Sequence, residues 1–405
     1  MYKPSGLANT LALLAAVSLT GVDAAWAQIS NGSAAGTVAA APSGAASATG
    51  PVGPGKSILP LTTPQVVPYE NTVGVAPAGE KPGSTGTSDK DNQAYGTGTQ
   101  KWPYSAARVA VTGAPYAAGT NGALVPVASR PYRYTGKLWM RYSDGWYVCT
   151  ASLIKKGVLI TAAHCVHNYG KKAAGWALEV RWYPANWSAA GGPWSYYQGA
   201  TWRIPTPYFN GVDTCQAGAI GIVCNNDIAT VTLTPKRAIY AGAALGGWYG
   251  YGWNGYSYVT SPTFGNALIG HLTQLGYPVA IDSGYQMERN DAYGKYVAAT
   301  GANGKLLRNT QLGSPMTGGS SGGPWMVNFG TRPTITGSAS LGAASSSNIV
   351  VGVTSWGYTS VGINVQGASW FGQNAEYPSA AYGTYGAGNI GKLVQDTCTA
   401  SPAYC

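Results

Sequence analysis

Charged residues are scarce in this sequence, since only 9% of its 405 residues are Asp, Glu, Lys or Arg. Glycine, tyrosine and tryptophan are abundant instead, with 58, 28 and 14 copies. Such a composition favours short strands joined by tight turns over helices. The net charge of +10 forms no blocks, because its densest spots are two lysine pairs at 155–156 and 171–172. We assign this charge to solubility rather than to binding anionic polymers, and no segment resembles a nucleic-acid-binding motif.

Long apolar runs are also lacking. The one that stands out, Leu11–Leu19, is shorter than the ~20 residues that a membrane-spanning helix needs. It follows Lys3 and precedes Ala25-Trp26-Ala27, which places small residues at the two positions that a signal peptidase reads. The sequence therefore predicts a signal peptide over residues 1–27, cleavage before Gln28, export and no membrane association afterwards. A retained lipid-facing anchor is the alternative.

Cysteines are few, and an exported chain meets an oxidising compartment in which paired cysteines persist as disulfides. Six cysteines permit fifteen pairings, and spacing alone does not choose among them. The near-neighbour solution is 149–165, 215–224 and 398–405. The six are Cys149, Cys165, Cys215, Cys224, Cys398 and Cys405.

A zinc site is the competing interpretation of the segment His164-Cys165-Val166-His167. Structural zinc sites usually combine two short-spaced pairs of ligands, and no second pair with that spacing is present. The HExxH motif is absent too. We therefore expect disulfides, no metal and no cofactor, with His167 as an exposed or capping residue.

The composition changes along the chain and divides it into three segments after residue 27. Residues 28–91 form a low-complexity stretch that predicts a linker or pro-segment, because it lacks the apolar mass needed to offset the entropy of ordering. Residues 92–396 form the folded domain, and residues 397–405 a tail with a local disulfide. Alternating apolar residues over Lys137–Tyr142 and Leu178–Tyr183, with many short apolar runs between turns, predict an all-β sandwich or pair of barrels.

Three short segments carry the residue types that acyl transfer needs. They are 159–165 (LITAAHC), 225–229 (NNDIA) and 318–324 (GGSSGGP). A serine becomes nucleophilic when an imidazole takes its proton, and the imidazole needs a carboxylate to fix its tautomer. Glycines beside the serine allow backbone N–H groups to converge on an oxyanion. His164, Asp227 and Ser321 are the candidates, in an order that differs from those of subtilisins and α/β-hydrolases.

Together with Val353–Gly357 (VTSWG), these segments resemble the motifs of trypsin- and chymotrypsin-like serine proteases, in particular the bacterial secreted branch that includes glutamyl endopeptidases. The resemblance implies two six-stranded antiparallel barrels with the active site between them. It implies a triad of His164, Asp227 and Ser321, and an oxyanion hole at the amides of Gly319 and Ser321. A Cys149–Cys165 bridge and substrate pairing along 355–357 are implied as well. The implied substrate-binding residues are Met316, Thr317, Thr354, Ser355, Trp356 and Gly357.

Two departures from the family pattern concern activation and specificity. Animal trypsins carry an aspartate before the nucleophile that receives the new N-terminus, whereas this chain has Ser320. The oxyanion loop must be ordered by other means, and we place maturation near Arg108 or Arg130.

The specificity-pocket wall at 311–317 holds no acidic residue, so a buried Lys or Arg side chain would lack a partner. Thr354 replaces the histidine of glutamyl endopeptidases, and Met316 favours an apolar or small P1 residue.

The sequence thus predicts a monomeric, secreted (extracellular or periplasmic) serine endopeptidase that acts on proteins or peptides. One alternative is a catalytically inactive homologue that binds a partner. Another is a wall-polysaccharide-binding module that uses the aromatic stretch 246–253 (GGWYGYGW).

Overall fold

The computed structural model describes residues 102–109, 127–217, 219, 222–330, 346–358, 364–378 and 387–405, and the backbone of three short strands at 29–31, 66–68 and 72–73. The predicted signal peptide and most of the predicted linker lie outside the described residues. Among the helices described, none has the length and apolarity that crossing a membrane requires.

The first barrel closes on itself through six antiparallel strands. They are β5 (Thr135–Tyr142), β6 (Gly145–Lys155), β7 (Val158–Thr161), β8 (Glu179–Pro184), β9 (Tyr197–Pro205) and β10 (Ala229–Leu233). The strand order is β9-β10-β7-β6-β5-β8, and β8 also pairs with β9, which closes the sheet. Two short upstream strands extend it: β1 (Ile29–Asn31) pairs with β9 and β3 (Thr72–Val73) with β6.

The second barrel is also closed by six antiparallel strands. They are β13 (Ala267–Gly276), β14 (Glu288–Thr300), β15 (Leu306–Gly313), β16 (Pro324–Val327), β17 (Ile349–Tyr358) and β18 (Val365–Ser369). The order is β13-β16-β17-β18-β15-β14, and β13 pairs with β14. Four strands are added at its edges: β2 (Val66–Pro68), β4 (Tyr104–Arg108), β11 (Gly250–Tyr251) and β12 (Val259–Ser261). The prediction of two six-stranded barrels is confirmed.

Helices are short and peripheral: α1 (Ala163–Val166), α2 (Thr206–Asn210), α3 (Ala241–Leu245) and α4 (Gly388–Ala400). The longest, α4, buries Ile390, Leu393 and Val394. Its Thr397 hydroxyl lies 2.7 Å from that of Thr230 on β10, so α4 packs against the first barrel. The predicted tail at 397–405 therefore begins inside α4.

The alternating apolar residues over Lys137–Tyr142 place side chains on two opposite faces of β5, and both faces are packed. Leu138 and Met140 enter the main apolar core. Trp139, between them, packs on the opposite face with Val279 from the second barrel. Because a strand turns successive side chains to opposite sides, both faces of β5 are covered, one by its own barrel and one by the neighbouring barrel.

The near-neighbour disulfide pairing is confirmed, with Cys149–Cys165, Cys215–Cys224 and Cys398–Cys405 all bonded. These bonds support an extracellular compartment. The first links β6 to α1, and the third links α4 to the last residue of the chain.

Candidate active site

His164 is positioned by an apolar strand and a single helical turn. The strand β7 is buried along its length, and the chain turns at Ala162 into α1, where His164 is the second residue. The neighbouring Cys165 is tied to β6 by its disulfide. The imidazole is 2% exposed, so its hydrogen bonds are little weakened by solvent.

Asp227 is fully buried and holds His164 at two points. One carboxylate oxygen, Oδ1, accepts the backbone N–H of His164 at 2.8 Å, and the other, Oδ2, lies 2.7 Å from Nδ1 of the imidazole. Oδ2 also accepts the Ser355 hydroxyl at 2.5 Å. A carboxylate accepts but does not donate, so Nδ1 carries the hydrogen and Nε2 is left as the proton acceptor.

The backbone of Asp227 is held from the second barrel and from its own loop. Its N–H donates to the Ser369 hydroxyl at 3.0 Å. The preceding Asn226 donates its backbone and side-chain N–H groups to the Asp213 carboxylate at 2.9 and 2.7 Å. Glu376 accepts a further bond from Asn226 at 3.3 Å. Asp213 and Glu376 are therefore supports of the Asp227 loop that sequence reasoning missed.

The two supporting carboxyl groups lie close enough to affect each other's ionisation. Burial, and secondly the charge of Glu376, raise the pKa of Asp213 well above its usual range. Hydrogen bonds from Asn226 and Thr214 lower this pKa in part. Motifs and spacing do not reveal this pair, because Glu376 is separated from Asp227 by nearly the whole second barrel and matches no motif.

Ser321 lies in a loop that is bonded to both barrels. Its carbonyl accepts the N–H of Thr150 on β6 at 2.7 Å. The next residue, Gly322, donates its N–H to the carbonyl of Thr354 at 2.7 Å, one position before the Ser355 that bonds Asp227. The structure thus brings the loop of Ser321 against the same strands that surround the His164–Asp227 pair.

Two glycines of this loop have steric reasons to be glycine. Gly322 has φ +76°, and a Cβ there would lie 2.0 Å from the Thr161 hydroxyl and 3.0 Å from the N–H of Ala162. Gly319 has φ +91°, and a Cβ there would meet the carbonyl of Tyr277 at 2.5 Å. Side chains are excluded at both positions, so the loop sits close to the turn that carries His164.

Ser320 shows how this loop is ordered without the aspartate of animal trypsins. Its hydroxyl donates to the carbonyl of Thr317 at 2.6 Å and accepts a bond from Gln366 Nε2 at 3.3 Å. Gln366 also donates to the carbonyl of Met316 at 2.7 Å. A buried amide therefore bonds the loop at two points.

Gln366 belongs to a buried network of neutral polar groups behind the predicted specificity-pocket wall. Gln274 donates to the Thr354 hydroxyl at 2.9 Å and to Oε1 of Gln366. The Ser314 hydroxyl donates to Oε1 of Gln274 at 2.8 Å. The one feature of the sequence that could have indicated this network is the presence of single amide side chains within apolar strands. Among the residues that the structure describes, no charged side chain belongs to this network.

The predicted substrate-binding residues are mostly held through their side chains by the protein itself. Thr354 accepts a second bond from Trp325 Nε1 at 2.9 Å, and Trp356 is buried with Nε1 bonded to Asn309 at 2.6 Å. The hydroxyl of Thr317 accepts the N–H of Ala280 at 3.2 Å. Met316 is buried. If residues 354–357 bind substrate as predicted, their contacts with it would come chiefly from backbone groups.

Of the two roles expected for His167, exposure was wrong, whereas His167 is the C-cap residue of α1 and donates its backbone N–H to the carbonyl of Ala163 at 2.9 Å. His167 is fully buried, with Nε2 2.7 Å from the carbonyl of Lys172 and its ring against Trp176 and Phe209. Burial lowers the pKa of His167 to about 4, despite an opposing effect of the Lys172 bond. The turn after α1 folds back over the ring, which a spacing argument does not anticipate.

Two groups among the described residues place potential metal ligands close together: Cys149, His164 and Cys165, and Asp213, Cys215 and Cys224. In both groups the sulfur atoms are already joined in disulfides. Thiolate coordination would require these bonds to be reduced.

Arg108, one of the two predicted maturation points, is the last residue of β4. That strand pairs with β14, with Arg108 opposite Glu288, and the Arg108 guanidinium forms an ion pair with Asp282. Cleavage at this position would have to open a paired strand.

Comparison with known proteins gives one family and a set of structural likenesses. Residues 125–238 match the family model described as Trypsin, which confirms the predicted resemblance and supports a peptidase function. No curated protein matches the chain.

Three solved structures similar to this chain are proteases. The thermostable serine protease AL20 from an extremophilic microorganism has 20% identity and a TM-score of 0.42, covering 59% of this chain and 91% of that one. Protease Anisep from Arthrobacter nicotinovorans has 20% identity and a TM-score of 0.41, covering 59% and 90%. A Glu endopeptidase in complex with MPD has 15% identity and a TM-score of 0.40, covering 69% and 95%.

Proposed function

From a chymotrypsin-like fold that contains a trypsin-family region, we propose that this protein is a secreted serine endopeptidase with His164, Asp227 and Ser321 as its triad. The observation that carries the proposal is the two-point contact between Asp227 and His164. A buried carboxylate that binds both the backbone N–H and Nδ1 of one histidine fixes its position and its tautomer.

In the proposed reaction, His164 Nε2 takes the proton of the Ser321 hydroxyl as its oxygen attacks the scissile carbonyl. The amides of Gly319 and Ser321 stabilise the oxyanion, the C–N bond breaks, and the imidazolium gives its proton to the leaving amine. Water then attacks the acyl-enzyme ester by the same path, which releases the new carboxylate and restores Ser321. Asp227, held by Ser355, stabilises the imidazolium in both steps.

The proposed P1 residue is apolar or small. Met316 is buried along the predicted wall, and the network of Gln274, Gln366 and Ser314 behind it is neutral. The wall segment 311–317 itself holds no acidic residue, so a Lys or Arg side chain would have to bury its charge beside these neutral groups. Profiling the cleavage of a mixed peptide library tests this preference, and dominant cleavage after Lys or Arg would contradict it.

The proposal is tested by labelling the secreted protein with a fluorophosphonate, which reacts quickly only with an activated serine. We expect one label, on Ser321, and none in the Ser321→Ala variant, whose peptide hydrolysis should fall on the order of 10⁴-fold or more. Ser143→Ala, in the exposed turn between β5 and β6, is the matched control and should still be labelled. A wild-type protein that takes no label would instead favour the inactive homologue that binds a partner.

A further inference from the structure

A lysine side chain is buried where the two barrels meet. Lys137 on β5 of the first barrel is 2% exposed, and its Nζ donates to the carbonyl of Gly284 at 2.7 Å. Gly284 lies between β13 and β14 of the second barrel. The rings of Trp139 and Tyr285 flank the amine, with their centroids 5.1 and 4.6 Å from Nζ. The amine of a first-barrel strand is thus held against a loop of the second barrel.

Keeping an amine at this depth is costly, which argues against a role in packing alone. Burial lowers the pKa of Lys137 to about 7. An apolar side chain would fill the same space without losing the hydration of a polar group. What the lysine adds is the hydrogen-bond donor to Gly284, and the amine carries N–H groups whether it is charged or neutral.

The loop that Lys137 holds, residues 277–285, is called the bridging loop below. It leads from β13 to β14, and its first half binds the segment just before Ser320. The N–H of Val279 donates to the carbonyl of Gly318 at 2.8 Å. The bridging loop is therefore bonded to the backbone that leads into the candidate oxyanion hole.

Fixing the carbonyl of Gly318 also fixes the N–H of Gly319, which is proposed for the oxyanion hole. The two groups belong to one planar trans peptide unit, so they point in opposite directions. The bond from Val279 therefore directs the N–H of Gly319 away from the bridging loop. The next N–H of this loop, that of Ala280, donates to the Thr317 hydroxyl at 3.2 Å and holds the preceding residue as well.

Gly284 packs against the part of the bridging loop that makes these bonds. A Cβ at Gly284 would lie 3.2 Å from the carbonyl of Tyr277 and 3.3 Å from Cα of Val279. Asn186, which follows β8 of the first barrel, donates to the neighbouring carbonyl of Tyr285 at 2.8 Å. The first barrel therefore holds two successive carbonyls of the turn that packs on Val279.

We propose that Lys137 is a positioning residue for the oxyanion hole: it holds the bridging loop, which in turn orients the Gly318–Gly319 peptide unit. This inference rests on the proposed function. It adds a contact from the first barrel to those by which the loop of Ser321 is ordered without the aspartate of animal trypsins. Because Lys137 acts through Gly284 and Val279, its loss should weaken oxyanion stabilisation more than substrate binding.

Steady-state kinetics of peptide hydrolysis tests this role. Lys137→Met removes the donor and keeps a long side chain, so kcat should fall about 10–100-fold with KM changed about twofold or less. The loss should be smaller than the ~10²–10³-fold that removing an oxyanion donor costs, because the Thr150 hydroxyl still bonds the carbonyl of Gly319 at 2.9 Å. Lys305→Met, the same change at an exposed position, should keep both constants. An unchanged kcat in folded Lys137→Met would overturn the proposal.

Two inhibitors separate this role from a purely structural one. A peptide trifluoromethyl ketone adds Ser321 and places an oxyanion in the hole, whereas the corresponding peptide alcohol occupies the same subsites without one. Lys137→Met should weaken inhibition by the ketone about 10–100-fold and by the alcohol about twofold or less. Equal weakening of both would overturn the proposal. Lys137→Gln, whose side chain is one bond shorter and stays polar, is the second variant in case Lys137→Met does not fold.

Hydrogen exchange tests the contact itself without relying on activity. The amides of Val279 and Ala280 should exchange about tenfold or more faster in Lys137→Met or Lys137→Gln than in the wild type and in Lys305→Met. Equal exchange in all of these proteins would show that Lys137 does not hold the bridging loop. If the wild type takes no fluorophosphonate label, the proposed protease function fails, and the exchange experiment still decides this contact.

Discussion

The two barrels hold their share of the candidate site by different forces. The first barrel, which supplies His164 and Asp227, is filled mainly by apolar side chains. Fully buried examples are Leu138, Met140, Leu153, Leu159, Ile160, Trp182, Trp202, Ile204 and Val231. The second barrel, which supplies Ser321, places a chain of buried amides and hydroxyls behind the loop of Ser321. Its members are Gln274, Asn290, Ser314, Thr354 and Gln366.

The difference follows from what each half must position. Apolar packing is strong but non-directional, and it suffices for a histidine that is tied down by a carboxylate and by the Cys149–Cys165 bridge. A loop whose backbone amides must face one point needs directional contacts, because a hydrogen bond weakens steeply with angle. We therefore expect damage to the first core to lower stability first, and damage to the second network to lower activity first.

The largest effect is expected at the carboxylate where the two barrels meet. Asp227 comes from the first barrel but accepts Ser355 of the second. Asp227→Asn replaces one acceptor oxygen by a donor, which favours the wrong tautomer of His164, so kcat should fall about 10⁴-fold with the fold retained. Steady-state kinetics with circular dichroism measures both. Asp396→Asn, which removes the α4 ion pair with Lys392 and the attraction between Asp396 and Arg203, should leave kcat unchanged. An active Asp227→Asn would contradict the assigned role.

A cavity in the first barrel should reduce stability and spare the chemistry. Leu138 is 0% exposed in the main core, and Leu138→Ala should lower the free energy of unfolding by about 2–5 kcal/mol because neighbouring side chains collapse only partly into the space. Urea unfolding measures this change. Leu306→Ala, at a position that is 44% exposed, should change it by about 0.5 kcal/mol or less. A large loss of kcat/KM in folded Leu138→Ala would break the contrast between the barrels.

The converse is expected in the second barrel. Gln366→Leu keeps the side-chain volume roughly constant but removes the donors to the carbonyl of Met316 and the hydroxyl of Ser320. Leaving such buried groups unpaired costs about 1–3 kcal/mol, and because they order the nucleophile loop, we expect kcat/KM to fall about 10–100-fold. Gln198→Leu, at a half-buried position on β9 of the first barrel, is the control and should keep the wild-type kcat/KM. A variant that unfolds earlier but keeps full kcat/KM would show that the network serves stability alone.

Short-range features of the sequence predicted a large part of this molecule. The alternation over Lys137–Tyr142 indicated a strand, and the residues around His164, Asp227 and Ser321 indicated the chemistry, because each motif combines a reactive side chain with the local backbone that it needs. The near-neighbour pairing, one of fifteen that spacing alone left open, is the one that the structure contains, and the family resemblance had implied its Cys149–Cys165 member.

Contacts between residues far apart in sequence were not predictable in this way. Glu376 lies about 150 positions from the Asn226 that it binds, and Gln366 lies 46 positions from Ser320. Their positions depend on how the second barrel closes. The burial of His167 was missed for the same reason, since the 172–176 turn and Phe209 that cover its ring come from later segments.

The smallest predicted effect concerns a poorly satisfied carboxyl group of the second barrel, Glu288 on β14. It is 5% exposed, and its Oε1 accepts no hydrogen bond from the part of the chain that the structure describes. Burial, and secondly Asp282, raise the pKa of Glu288 to about 8, while Arg108 opposes this shift. A raised folded-state pKa means that the folded protein binds the proton more tightly than the unfolded chain does. The protonated group is therefore tolerated at acidic pH, and stability is lost as pH rises from the ordinary Glu value through about 8.

Glu288→Gln removes this titration, so the Tm of the wild type should fall relative to that of the variant by about 2–4 °C between pH 5 and pH 8. Differential scanning calorimetry of both proteins across this range measures the difference, and Leu138→Ala serves as the control because its deficit should be independent of pH. Parallel curves for wild type and Glu288→Gln would mean that this carboxyl group finds a partner or solvent when it ionises. The second barrel would then tolerate a buried charge as readily as it tolerates its neutral amides. In that case the interior of the second barrel would differ from that of the first in being more polar, and not in depending on directed hydrogen bonds.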